Sequence, residues 1–343
     1  MQSAFLFDRF AFSRAAGNLA PMKIGMVGCG ALGSYYGAKL CRDAQDVHFL
    51  LRSDFDIVRR RGVGVRSPEG DFHVNPRCAQ SPEEIGVCDL VLIGLKTTAN
   101  GRFPNLIPPL VGPQTAVMTL QNGLGNEEQL AALFGAERIL GGLCFVCLNR
   151  LEPGLIQHLA HGTIVMGEYQ RWPEPRTHDI ASMFRHAGVP CKVADNLERA
   201  HWEKLVWNIP FNGLGVAGAA GYDALVAQPS TLNQPLSIGS CLTTDQLLDN
   251  GRWENLVRDL MLEVIAAANA LGFKLAESLA EKQIERTRAM GAYKASTLVD
   301  FERRQPLELE SLFLEPLRRA QRAGVAVPRL AALCEVLKRL DAR

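Results

Sequence analysis

An α/β fold, an N-terminal Rossmann-type doubly wound sheet followed by an all-helical C-terminal domain, is predicted by three features of this 343-residue sequence. A short apolar run from Lys23 to Val27 ends in Gly28-x-Gly30-x-x-Gly33, and Ser34 to Leu40 then reads as a helix. Short apolar strands go on alternating with helical segments as far as Val193, the pattern of a parallel sheet with helical crossovers. From Leu197 helical periodicity takes over. The expected division is an extension over residues 1–21, a sheet domain over 22–195 and a helical domain over 196–343.

Composition narrows the function classes. Apolar residues make up 47% of the chain and charged residues 21%, which suits a soluble globular protein of about two domains. A formal net charge of +1 offers no basic field to nucleic acid or an anionic membrane. No apolar run approaches the ~20 residues of a membrane span. The nine cysteines are odd in number and scattered, so reduced thiols in a cytoplasmic protein are expected rather than a disulfide framework. Cys144-x-x-Cys147 lacks a second ligand pair, so no metal is expected. Residues 1–21 mix Phe5, Phe7, Phe10 and Phe12 with Asp8, Arg9 and Arg14, without the apolar core of a secretory signal. Met22, directly before the first strand, would make a natural start, and the preceding segment reads as an accessory or wrongly assigned extension.

In the glycine turn, small residues let the backbone bend and approach a pyrophosphate, while the following helix presents unpaired N–H groups and its positive end. Gly28, Cys29, Gly30, Ala31, Leu32 and Gly33 are therefore candidate cofactor contacts. Asp46 to Leu51 reads as the second strand, with Arg52 at its end, nineteen residues past Gly33. An acid about 20 residues on would suit a ribose 2′-hydroxyl, and an arginine a 2′-phosphate. No acid occupies this strand end, so NADP is favoured over NAD; the competing reading of Arg52 is a solvated residue opening a loop. Val63–Arg66 and Phe72–Val74 read as strands around Pro68-Glu69-Gly70. Asp89 to Lys96 is a buried parallel strand that brings Lys96 to the sheet's ligand edge. Thr115 to Leu120 is another, ending in Asn122-Gly123, where turn chemistry and an amide contact to nicotinamide or substrate both fit Asn122. A helix over 126–134, a strand over 139–145, a hairpin at the sheet edge from segments 154–159 and 163–167, a helix over 177–187 and a strand over 191–193 complete the domain.

In the helical half, helices are expected over 256–271, closed by Gly272, and over 276–290, 306–323 and 328–340. Lys204, Asn208 and Asn212 are spaced four apart, so a helix carries them as one stripe among Trp202, Leu205, Val206, Trp207, Ile209 and Phe211. Buried polar groups left unpaired cost roughly 1–3 kcal/mol each, which a bound polar ligand would relieve. A lysine reaching out to water beside capping asparagines is the competing reading. Pro210 is expected to kink this helix. Glu308 and Glu310 after Pro306 are ordinary helix-start residues, and Ser296 to Asp300 reads equally as a helix start. A dinucleotide fold with a buried lysine suggests hydride transfer to a carbonyl, whose oxygen needs a cation or acid, a task suited to a lysine whose pKa burial lowers.

From Met22 to about Leu340 the chain resembles the ketopantoate reductase family (2-dehydropantoate 2-reductases). It carries, in order, Gly28/Gly30/Gly33, Arg52, Lys96, Asn122, Trp202/Lys204/Asn208/Asn212, Ser296/Asp300 and Glu308. The resemblance implies NADPH-dependent reduction of a 2-oxo acid, by default 2-dehydropantoate to pantoate in pantothenate biosynthesis. Lys204 would be the general acid, Glu308 would hold the substrate's terminal hydroxyl with Asn208 and Asn212 positioning it, and Ser296 would bind its carboxylate. Asn122 would lie by the nicotinamide, with Arg52 and Lys96 by the adenosine phosphates. A small-molecule substrate is the expected partner; a homodimer is compatible with the reading. Leu307-Glu308-Leu309 replaces the common Thr-Glu-Ile, and Phe313-Leu314 a later polar pair, which would make the pocket less polar. Residues 216–236 read as an insertion. A reductase of another, less polar 2-oxo acid and a non-catalytic NADP-binding sensor are the alternatives.

Overall fold

A computed structural model describes residues 21–226, 239–249 and 251–342. Nearly all of the expected N-terminal extension, and the 227–236 part of the expected insertion, lie outside the described residues. The chain falls into two compact units. One runs to Gln121 and resumes over Asn126–Glu198; the other takes Asn122–Gly125 and continues from Arg199.

The first unit is built on ten strands. They are β1 (Lys23–Val27), β2 (Asp46–Leu50), β3 (Val63–Arg66), β4 (Phe72–Val74) and β5 (Arg77–Ala79). After them come β6 (Cys88–Ile93), β7 (Val111–Thr119), β8 (Ile139–Glu152), β9 (Leu155–Glu168) and β10 (Cys191–Val193). Strands β5-β2-β1-β6-β7-β8 lie side by side and parallel, the doubly wound order about β1. Their residues alternate between two apolar clusters: Leu90 and Leu92 of β6 join Ile24, Met26, Ala116 and Met118, while Val91 and Ile93 join Val27 and Val117. Such strands read as unbroken apolar runs because both faces are covered.

Beyond β8 the structure differs from the sequence reading. The expected edge hairpin is one strand, β9, which runs antiparallel to β8 and is flanked on its other side by β3 and β10. The reversal lies earlier, at Pro153-Gly154, where Gly154 has φ +76°. His161 and Gly162, which lie between the two segments of the expected hairpin, have positive φ values of 66° and 132° and form a bulge: Phe145 pairs with Thr163 and Val146 with His161, so Gly162 is skipped. Strand β8 accordingly runs seven residues past its expected end at Phe145.

The second unit contains the helices Arg252–Ala270, Ser278–Arg288, Ser296–Glu302, Glu315–Arg322 and Pro328–Asp341, and most of Leu197–Ala217. Trp202, Val206, Ile209 and Phe211 are enclosed in one core with Val257, Leu260, Val264, Leu333 and Leu337. The helix carrying Pro210 remains a single element of 21 residues.

The helix expected from Pro306 begins later. Residues 305–308 are not helical, and the Leu307 N–H donates to Asp341 Oδ1 at 2.9 Å instead of entering a helix. A π-helical turn, Glu310–Leu314, precedes Glu315–Arg322. Pro316 lacks the N–H that an α-helix would direct to the Leu312 carbonyl, and the widened turn sits immediately before it.

Candidate active site

In the first unit, the glycine loop joins β1 to the helix Ala31–Arg42. Gly28 has φ +97°, and a Cβ there would stand 2.4 Å from the Leu95 backbone nitrogen. A Cβ at Gly33 would stand 2.2 Å from the Gly28 carbonyl oxygen. These two glycines are required by the fold. Gly30 is different: a Cβ at this position would meet nothing within 4 Å. It forms the N-cap of the helix without a side-chain cap, and no acid occupies the first turn. Open space above uncapped helix N–H groups fits the pyrophosphate of a dinucleotide.

The same tight approach carries the neighbouring strand end to the loop. The Gly94 N–H donates to the Val27 carbonyl at 2.8 Å, and Lys96 follows two residues later, exposed, at the start of the 3-10 turn Thr97–Arg102. Arg52 is exposed just past β2. Cys29, between the first two glycines, is a half-buried thiol that donates to the Met26 carbonyl. Burial, then Cys78 and the Asp54 carboxylate, push its pKa well above the ordinary thiol range. Ala31 and Leu32 are the first two helical residues after the Gly30 cap.

In the second unit, the Lys204, Asn208 and Asn212 stripe lies on one helix. Lys204 is half-buried, and its Nζ donates to Asn122 Oδ1 at 2.8 Å. Asn208, one turn on, is 6% exposed, and among the described residues its side-chain amide has no hydrogen-bond partner. Asn212, a further turn on, is buried; its Oδ1 accepts from Ser296 Oγ at 3.2 Å and from the Thr297 N–H at 3.1 Å. The stripe therefore meets Asn122 at one end and Ser296 at the other. Trp202 of the same motif belongs to the core.

Glu308 is buried directly before the π turn, and its backbone carbonyl accepts the Leu312 N–H at 3.2 Å. The sequence reading missed Ser311, which is buried and fixes the Asn122 turn. The Leu124 N–H donates to the Ser311 carbonyl at 2.9 Å, and a Cβ on Gly123 would stand 2.3 Å from that oxygen. No local pattern in the sequence links it to Gly123 and Leu124, the residues its carbonyl meets. Leu307 and Phe313 are buried in the helical core, and Leu309 and Leu314 pack against it. The apolar replacements at these positions are thus accounted for by the core.

Comparison with known proteins matches both halves of the chain. The family model "Ketopantoate reductase PanE/ApbA" covers residues 24–171, and "Ketopantoate reductase PanE/ApbA C terminal" covers residues 230–341. The chain is 38% identical to a 2-dehydropantoate 2-reductase of Nostoc sp., across 94% of this chain and 96% of the relative. Among solved structures, 2-dehydropantoate 2-reductase from Geobacter metallireducens is 48% identical, with a TM-score of 0.81 over 92% of this chain and 98% of that one. The corresponding structure from Methylococcus capsulatus is 32% identical, with a TM-score of 0.80 over 93% and 97%. A glycine-loop sheet unit, a helical unit carrying the lysine stripe, and relatives aligned over nearly the whole length agree: this chain belongs to the ketopantoate reductase family.

Proposed function

We propose that the protein reduces 2-dehydropantoate to pantoate with NADPH, a step of pantothenate synthesis. The observation that carries this reading is the Lys204–Asn122 hydrogen bond with the Asn208 amide one turn away, which has no hydrogen-bond partner among the described residues. It is joined by the names of the relatives in Nostoc and Geobacter metallireducens, both 2-dehydropantoate 2-reductases. The glycine loop supports a nicotinamide dinucleotide, and exposed Arg52 supports the phosphorylated form. All nine cysteines lie among the described residues and remain thiols, which suits the reducing conditions of the cytoplasm.

When bound, NADPH supplies a hydride to the carbonyl carbon of the 2-oxo acid. Lys204 holds a proton on Nζ, and as charge grows on the carbonyl oxygen it donates that proton and completes the hydroxyl. Asn122 accepts from the ammonium and so fixes its direction. Asn208 offers its amide to the substrate. Glu308 takes the substrate's terminal hydroxyl as a hydrogen-bond donor. Ser296 now donates to Asn212, so receiving a substrate carboxylate there requires its hydroxyl to turn. Arg52 and Lys96 hold the cofactor's phosphates.

The test is NADPH oxidation followed against a panel of 2-oxo acids. The expected outcome is the highest kcat/KM with 2-dehydropantoate. A higher value with a less polar 2-oxo acid would reassign the substrate, and tight NADPH binding without turnover on any member would mark a sensor.

A further inference from the structure

The turn after β2 carries both kinds of group that can read the 2′ position of a ribose. Arg52 suits a 2′-phosphate. Asp54, 21 residues past Gly33, falls in the same window, where a carboxylate binds a 2′-hydroxyl and repels a phosphate. The structure treats the two side chains in opposite ways. Arg52 is exposed, and among the described residues no carboxylate pairs with it. The Asp54 side chain is only 9% exposed; Arg150 Nη2 lies 2.7 Å from its Oδ1 and 2.6 Å from its Oδ2, and Ser53 Oγ donates to Oδ1 at 2.9 Å.

Arg150 comes from the distal part of β8, ninety-six residues from Asp54 in sequence. The sheet holds it there. The β8–β9 turn is tied to β3 by the Gly64 N–H, which donates to the Gly154 carbonyl at 2.8 Å, and Gly154 packs toward Val58 of the helix that follows Asp54. Asp54 is also close enough to the glycine loop for its charge to act on Cys29. An ion pair whose arginine is 38% exposed adds little to folding, so its main effect is on where charge sits.

We infer that Arg150 determines cofactor specificity: by engaging Asp54 it withdraws a carboxylate that would favour NAD(H), and leaves Arg52 to face the 2′-phosphate of NADP(H). Arg150 is a positioning residue that acts through Asp54. The inference rests on the NADPH reading above.

Dissociation constants for NADPH and NADH, measured by titration calorimetry on the full chain, test it in the wild type, Arg150→Met and the double variant Asp54→Asn/Arg150→Met. The wild type should prefer NADPH. Arg150→Met should cut that preference about tenfold or more, because a like charge then stands beside the phosphate. The double variant, which buries no unpaired carboxylate and so folds even where the single variant does not, should regain the preference. A wild type that binds both cofactors equally would overturn the NADPH reading and this inference with it. A wild type that prefers NADPH, with the preference unchanged in Arg150→Met or not regained in the double variant, would overturn the role of Arg150 alone. A structural role would weaken both cofactors together and leave their ratio where it was.

Discussion

The glycine loop and the lysine stripe prepare for a ligand by opposite means. The loop works by omission: Gly28 and Gly33 let backbone meet backbone, and Gly30 leaves space open above uncapped N–H groups. The stripe works by placing side chains where a helix turned toward the core would carry apolar ones, and it holds them with Asn122 and Ser296. Added atoms at Gly28 or Gly33 would collide with backbone, whereas a site made of side chains tolerates loss of one group with the fold intact. Substitutions in the two regions should therefore fail differently.

The largest effect is expected in the stripe. Lys204→Ala should lower kcat by at least ~100-fold, the scale of general acid catalysis, while NADPH binding persists. Steady-state kinetics beside a cofactor titration measures both, and near-normal turnover would remove Lys204 from the chemistry. Next is Arg52, the one charged side chain assigned to the 2′-phosphate. Arg52→Ala should weaken NADPH by about 10- to 100-fold, the worth of a hydrogen bond to a charged group, and NADH far less. Equal losses would show that Arg52 does not read the phosphate. The smallest effects separate the glycines. Gly28→Ala should lower stability by about 1–3 kcal/mol in denaturant unfolding, the cost of forcing extra atoms into packed backbone. Gly30→Ala should leave the unfolding midpoint nearer to wild type yet weaken the cofactor; the reverse order would mean that Gly30 serves the fold and not a ligand.

The same contrast explains what could be read in the chain. The glycine loop, the buried parallel strands and the Lys204/Asn208/Asn212 spacing are local patterns, and each is found at the expected place. The run of β8 past Phe145 was not legible, because whether residues 146–152 extend a strand depends on pairing with β9, whose bulge at Gly162 mimics a turn. β5 escaped for a related reason: three residues, Arg77–Ala79, carry no periodicity, and only pairing with β2 defines them. The π turn at Glu310–Leu314 was hidden because Pro306 looks like a helix start, while the Leu307 N–H is taken by Asp341 from the far end of the chain. Ser311 was lost with it. Arg150 could not be linked to Asp54 at all, since nothing local connects residues ninety-six apart.

The helix cap at Asn212 has a consequence for molecular recognition. A backbone N–H can only donate, so the atom that Thr297 meets must be the amide oxygen, which fixes the orientation of the whole group. With Ser296 donating to the same atom, both lone pairs of that oxygen are engaged. While Ser296 keeps that bond, what remains of Asn212 is an NH2 with donors only. A molecule that binds there must present an acceptor, whether carbonyl, carboxylate or the lone pair of a hydroxyl. Analogues that offer only N–H at that point would be refused by polarity before size was tested.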